Sequence, residues 1–262
     1  MEKIEIIHYA KESEPFFVIK KAAGIPSAPL KEGDFSAFTL AANFFPEIKK
    51  IHSKKNVEGG LLHRIDTDTE GLLLIAQSQE FYDRLSLEQE NNLFKKRYSA
   101  LCQKCDIQKY SLAFPPVKNL NFLENKAFDL SSFFRPYGKN SKEVRPVTLD
   151  SGKYSLKKTN KVEYTTNITL SFLDDGKIKA RAFLKKGYRH QVRCHLAWIG
   201  FPICGDKIYN PFSRIDFCES ENIFKSIENF TGEKSLSESE KFFFKADGLY
   251  FEWKGKNYSF EY

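Results

Sequence analysis

Apolar and polar positions alternate most clearly between residues 162 and 184. Val162, Tyr164, Thr166, Ile168, Leu170 and Phe172 are separated by more polar neighbours; Asp174-Asp175-Gly176 follows, and Ile178, Ala180, Ala182 and Leu184 alternate beyond it. A period of two on both sides of a turn sequence predicts an antiparallel hairpin. Lys177, Lys179, Arg181 and Lys185 fall on the opposite side of the return strand. One face is therefore expected in the core and the other, basic, toward solvent. Leu249, Phe251 and Trp253, then Tyr258, Phe260 and Tyr262, flank Lys254-Gly255-Lys256-Asn257 and predict a second hairpin. Short apolar runs at Phe16–Ile19 and Leu72–Ala76 read as buried strands, the first running into a Gly/Pro-punctuated loop, Lys20–Pro26. Lys95–Leu101 reads as a strand with Tyr98, Ala100 and Cys102 on one face.

Helical spacing is rarer. Ser78 suits an N-cap, with Glu80 in the first turn and Phe81, Tyr82 and Leu85 as the apolar face. Arg189–Ile199 predicts a second helix with Val192, Leu196 and Ile199 as its stripe, closed by Gly200. Lys49–Gly60 reads as a connection, and the acidic stretch 214–240 as a variable insertion. Strands and helices mix without a βαβ rhythm. The expectation is α+β: one domain over residues 1–262, with a mixed, largely antiparallel central sheet, flanking helices and a catalytic cleft.

Composition narrows the class. Of 262 residues 41% are hydrophobic and 25 are Phe, which excludes disorder and collagen-like repeats. No apolar run approaches the roughly 18 residues of a membrane span, and Met1-Glu2-Lys3-Ile4-Glu5 is no secretion signal. Five cysteines, an odd number, read as reduced thiols of a cytoplasmic protein. Net charge is +7, but unevenly placed: Arg135 to Arg193 holds 15 Lys/Arg against 5 Asp/Glu. Such segregation points to a polyanion, of which nucleic acid is the commonest. Within it, Arg135–Pro146 is a candidate mobile RNA-gripping loop, with a solvated surface loop as the competing reading.

Three clusters could carry chemistry. His63-Arg64-Ile65-Asp66-Thr67-Asp68-Thr69-Glu70-Gly71 precedes a buried strand. His63, Asp66 and Asp68 lack a partner cluster at ligand spacing, so no metal is expected. In Lys186–His195 the two histidines are five apart, which excludes a zincin helix, while Arg189 and Arg193 are four apart and suited to carboxylate or phosphate. Cys102-Gln103-Lys104-Cys105 is a lone CxxC, read as core or edge thiols. Phosphate- and dinucleotide-binding glycine loops are missing from the sequence.

In order along the chain these pieces resemble the RluA-type pseudouridine synthases. Phe17–Pro26 is similar to a strand followed by "NKPAGLPV", Leu62–Leu74 to "VHRLDxxTSGLLL", Lys96–Ala100 to "KxYxA", Lys158–Tyr164 to "AxTxY", and Gly187–Asp206 to "GRxHQIRxHLAxxGxPIxGD". The departures are Ala22 for Pro, Glu70 for Ser, and an arginine displaced to Arg189. The N-terminus is too short for the S4 module of many relatives.

The resemblance implies isomerisation of uridine to pseudouridine in ribosomal or transfer RNA, with no cofactor, by a monomer of one domain. It implies Asp66 as the reacting carboxylate, Arg193 as its cationic partner, and Tyr98 stacking on the uracil and acting as general base. Arg64 would fill the space of the extruded base, with Arg189, His190 and His63 contacting RNA or holding the site. Two other classes compete. A non-catalytic RNA-binding or ribosome-assembly factor is motivated by the departures, and a small-molecule hydrolase using Asp66 is disfavoured by the basic stripe.

Overall fold

The computed structural model describes residues 3–106, 114–117, 123–213 and 242–262. The acidic insertion assigned to 214–240 lies outside the described residues. The fold is α+β, with a mostly antiparallel sheet and flanking helices. The chain divides into two compact units, one of residues 1–99, 181–189 and 244–262, the other of residues 100–180 and 190–243.

In the first unit β1 (Ile4–His8), β2 (Phe16–Lys21) and β3 (Glu70–Ala76) form an antiparallel run. β9 (Phe244–Trp253) lies parallel to β3, and β10 (Lys256–Glu261) turns back along β9. The alternation that predicts the C-terminal hairpin holds, with Trp253 opposite Lys256 across the turn. Phe16, Val18, Leu72, Leu74 and Ala76 form one core face with Phe81 and Leu85 of α2 (Gln79–Glu90) and Phe251 and Trp253 of β9. The rings interlock: Phe16 stacks on Phe81 at 4.8 Å, and Phe81 meets Trp253 edge-on at 4.9 Å. Ser78 caps α2 by accepting from the Phe81 N–H, as its position predicts. α1 (Ala37–Phe44) escapes the periodicity reading, although Ser36 and Thr39 form a capping box at its start.

β4 (Lys95–Gln103) and β8 (Lys177–Leu184) each contribute residues to both units. Within the second unit β7 (Tyr164–Phe172) and β6 (Glu143–Val147) flank β5 (Phe128–Tyr137), all antiparallel. The segment read as a mobile loop at 135–146 is thus mostly paired strand, with only its tip outside the ladder. α3 (Lys153–Lys157) is one short turn, and α4 (Gln191–Trp198) packs against β6 and β7. α4 starts two residues later than its pattern predicts. His190 sits at φ 56°, a left-handed conformation that no helical turn accommodates, so Arg189 lies outside the helix. Cys102 and Cys105 are buried free thiols.

Gly71 is required where β3 meets β9. Its φ is +155°, and a Cβ there would press on the Ala246 carbonyl oxygen and lie 2.6 Å from the Ala246 Cβ. Gly255, at φ +79° in the β9–β10 turn, has open space around it. Gly71→Ala is expected to cost roughly 3 kcal/mol or more in urea unfolding, through clash added to strain. Gly255→Ala should cost only about 1 kcal/mol. Equal losses would show that the β3–β9 approach is not tight.

Candidate active site

Asp66 lies on a turn stitched to the loop that follows β2. Lys21 ends β2 fully buried, and its ammonium donates to the carbonyls of Ala22 (2.9 Å), Ile25 (2.8 Å) and Thr67 (3.0 Å). The Gly24 N–H donates to the Thr67 carbonyl at 2.9 Å. Ser27 Oγ donates to the Ile65 carbonyl at 2.7 Å and accepts from the Ile65 N–H at 3.0 Å. The Thr69 N–H closes the turn on the Asp66 carbonyl at 3.1 Å. Residues on both sides of Asp66 are therefore fixed by hydrogen bonds to one loop. Burial pushes the Lys21 ammonium down to about 8, and the charges of Asp66, Asp68 and Glu70 work against that fall.

Glu70 follows the turn and meets Lys20 at 3.2 Å and Lys245 at 3.5 Å. Burial raises its carboxyl, but these two lysines outweigh it and hold it below the usual range. Serine is the residue expected there, and the extra carboxylate is matched by this pair of cations. Ala22 has a comparable explanation. Its N–H donates to the Lys3 carbonyl at 3.0 Å and extends the β1–β2 pairing, which a proline could not do.

Tyr98 is buried on β4 and stacked on Phe244, with centroids 5.3 Å apart. Burial first, and the charge of Asp66 second, push its phenol well above the ordinary value. His63 is buried and its Nε2 accepts from the Leu74 N–H at 3.2 Å, which places the ring proton on Nδ1. Burial and the nearby charge of Lys96 keep it neutral. Of the roles considered for His63, holding loop geometry fits this position. Arg64 is exposed and paired with Glu58 at 3.2 Å.

The second unit holds Arg193 and His190. Arg193 is buried, and its Nε and Nη2 each lie 2.8 Å from an oxygen of Asp206. This bidentate pair matches the arginine with a carboxylate to which the sequence reading gave no role. Asp206 also accepts from the N–H groups of Ile208 and Tyr209, which fixes its plane. Tyr209 accepts from the Val144 N–H at 2.8 Å, and its hydroxyl shares a hydrogen bond of 3.1 Å with His190 Nδ1. Arg189, the displaced arginine, is exposed and belongs to the first unit.

Sequence reasoning assigned no role to Lys21, Lys96 or Asp206. The signals were present: a lysine in phase with Phe17 and Ile19, one in phase with Tyr98, and an acid ending the last motif. Among the described residues no cluster of His, Cys, Asp and Glu could hold a metal, and no helix is long and apolar enough to cross a membrane.

The chain belongs to the RNA pseudouridylate synthase family, whose profile matches residues 15–198. It is 28% identical over 159 residues to an uncharacterised RNA pseudouridine synthase of Bacillus subtilis, covering 60% of this chain and 43% of that protein. It is 22% identical over 232 residues to ribosomal large subunit pseudouridine synthase D of Pseudomonas aeruginosa, covering 87% of this chain and 60% of that one. The chain thus spans about half the length of the curated relatives it matches. The human RNA pseudouridylate synthase domain containing 1 shares the fold, with a TM-score of 0.63 and 14% identity over 99% of this chain and 82% of that one.

Lys96 gives a pH-dependent test. It is 7% exposed, and burial pushes it down to about 8 from 10.5. The unfolded chain therefore binds a proton more tightly than the folded one. The cost to folding is complete below about pH 8 and disappears above 10.5. Lys96→Met should raise stability at pH 7 by on the order of 3 kcal/mol. The advantage should vanish as pH rises through that window in denaturant titrations. A pH-independent difference would contradict the buried charge.

Proposed function

We propose that the protein converts uridine to pseudouridine in structured RNA, ribosomal or transfer, in the cytoplasm. The observation that carries this reading is Asp66 at the position of the family's reacting aspartate, on a turn fixed through Lys21, Gly24 and Ser27. The reaction breaks the bond from the ribose C1′ to N1, rotates the uracil and joins C1′ to C5. The hydrogen leaving C5 is balanced by one gained at N1. Nothing is oxidised or reduced, so the chemistry calls for no redox cofactor.

Asp66 either adds to the nucleoside or assists elimination across the sugar. Arg193, oriented by Asp206, is its cationic partner, and Tyr98 packs beside the base. Arg64 fills the space left by the extruded nucleotide, whose unstacking costs a few kcal/mol. Arg189 and His190 contact the RNA backbone, and His63 keeps the turn in place. The basic residues between Arg135 and Arg193 make binding salt-dependent.

A non-catalytic RNA-binding role was motivated by Ala22, Glu70 and Tyr188. The first two have local structural partners, Lys3 for Ala22 and Lys20 with Lys245 for Glu70, so neither of these two departures argues against catalysis.

Asp66→Asn is expected to lower pseudouridine formation by roughly 10³-fold or more, with RNA affinity unchanged. Mass spectrometry after pseudouridine-specific labelling, beside a filter-binding measurement, reads both. The RNA substrate is identified by mapping pseudouridines in ribosomal and transfer RNA after deletion of the gene. Turnover near the wild-type level in Asp66→Asn would remove Asp66 from the chemistry.

A further inference from the structure

The second unit carries a basic surface whose aromatic residues the reading above leaves without a role. Arg135 and Arg145 are direct cross-strand partners on β5 and β6. Like charges at that register destabilise a hairpin. Here they are laid against an aromatic ring: the Arg145 guanidinium lies 3.3 Å and that of Arg135 4.9 Å from the centroid of Tyr137. Glu143 compensates Arg145 at 3.1 Å. Beyond the hairpin tip, with Lys139 and Lys142, the chain forms α3. Tyr154 on α3 is 68% exposed, and the Lys158 ammonium lies 4.3 Å from its ring centroid. Lys158, and more weakly Arg135, lower the Tyr154 phenol. Residues 135–163 contain eight Lys/Arg and three Asp/Glu.

Two tyrosines bracketed by cations, on a surface with few carboxylates, match what single-stranded nucleic acid offers. Phosphates meet the cations, and a base finds an aromatic face. Apolar packing does not explain Tyr154, because it is mostly open to solvent. The cost of opposing Arg135 to Arg145 is relieved by a polyanion.

We propose that Tyr154, with Lys158, Arg135 and the Arg145–Tyr137 stack, forms a second RNA contact that stacks an unpaired base outside the nucleotide being modified. The proposal rests on the RNA reading above and adds the single-stranded flank as a recognised feature of the substrate. Tyr137 and Arg145 supply a preformed cationic wall, and Tyr154 supplies the open ring.

The test is equilibrium binding of the whole protein to an oligouridylate of about ten nucleotides, a length suited to single-strand sites. A blunt RNA hairpin lacking unpaired flanks is titrated beside it. Tyr154→Ala should bind the oligouridylate roughly tenfold more weakly. It should bind the blunt hairpin as wild type does, with an unchanged salt slope. Tyr154→Phe, which keeps the ring, should match wild type. Lys158→Met should lower the salt slope by about 0.7 on the single strand. Wild-type affinity of Tyr154→Ala for the oligouridylate, with RNA binding otherwise intact, overturns the stacking contact and leaves the enzymatic reading standing. Failure of the wild-type protein to bind either RNA overturns both.

Discussion

One buried ammonium organises the region around Asp66. Lys21 is carried into the interior at the end of β2, on the same face as Phe17 and Ile19. An isolated charge there would be prohibitive. It is tolerated because three carbonyls accept from it and three carboxylates lie close enough to favour its charged form. The same three bonds tie residues 22 and 25 to residue 67, so the conformation of the Asp66 turn and the solvation of Lys21 are one problem with one solution. Ser27 and Gly24 reinforce it from the same loop. Gly71 then lets β3 approach β9 immediately after the turn, and Glu70 is gripped by lysines from both neighbouring strands.

Local patterns made much of this legible. Alternation located both hairpins and the buried face of β4, and Ser78 marked the start of α2. Other features depend on partners distant in sequence. β3 begins at Glu70 rather than Leu72 because Glu70 and Gly71 pair with Lys245 and Ala246. α4 begins at Gln191 because His190 adopts a left-handed conformation. The resemblance named Asp66, Tyr98 and Arg193. It could not reveal that Lys21 clamps the first, that burial keeps the second protonated, or that Asp206 engages the third. Each of these facts is a matter of burial and contact, which spacing does not encode.

The two units solve the problem of a buried charge differently. Lys21 is neutralised diffusely, by carbonyl dipoles and nearby carboxylates. Arg193 is matched directly by Asp206 in a planar bidentate pair, and Asp206 is itself oriented by two backbone N–H groups. The diffuse solution fixes the backbone on either side of Asp66. The direct solution fixes the plane of a guanidinium. Both prepare charged groups before a substrate arrives, and preorganisation is where electrostatic catalysis gains most.

Lys21 is bonded to the Asp66 turn through the Thr67 carbonyl, so its loss should displace the carboxylate proposed to react. The most direct measurement is single-turnover release of tritium from RNA labelled at uridine C5, using folded Lys21→Met protein. The account predicts a rate reduced by roughly 10²-fold, the scale of a misplacement of about 1 Å, with RNA affinity preserved. A wild-type rate of release from that variant would contradict it.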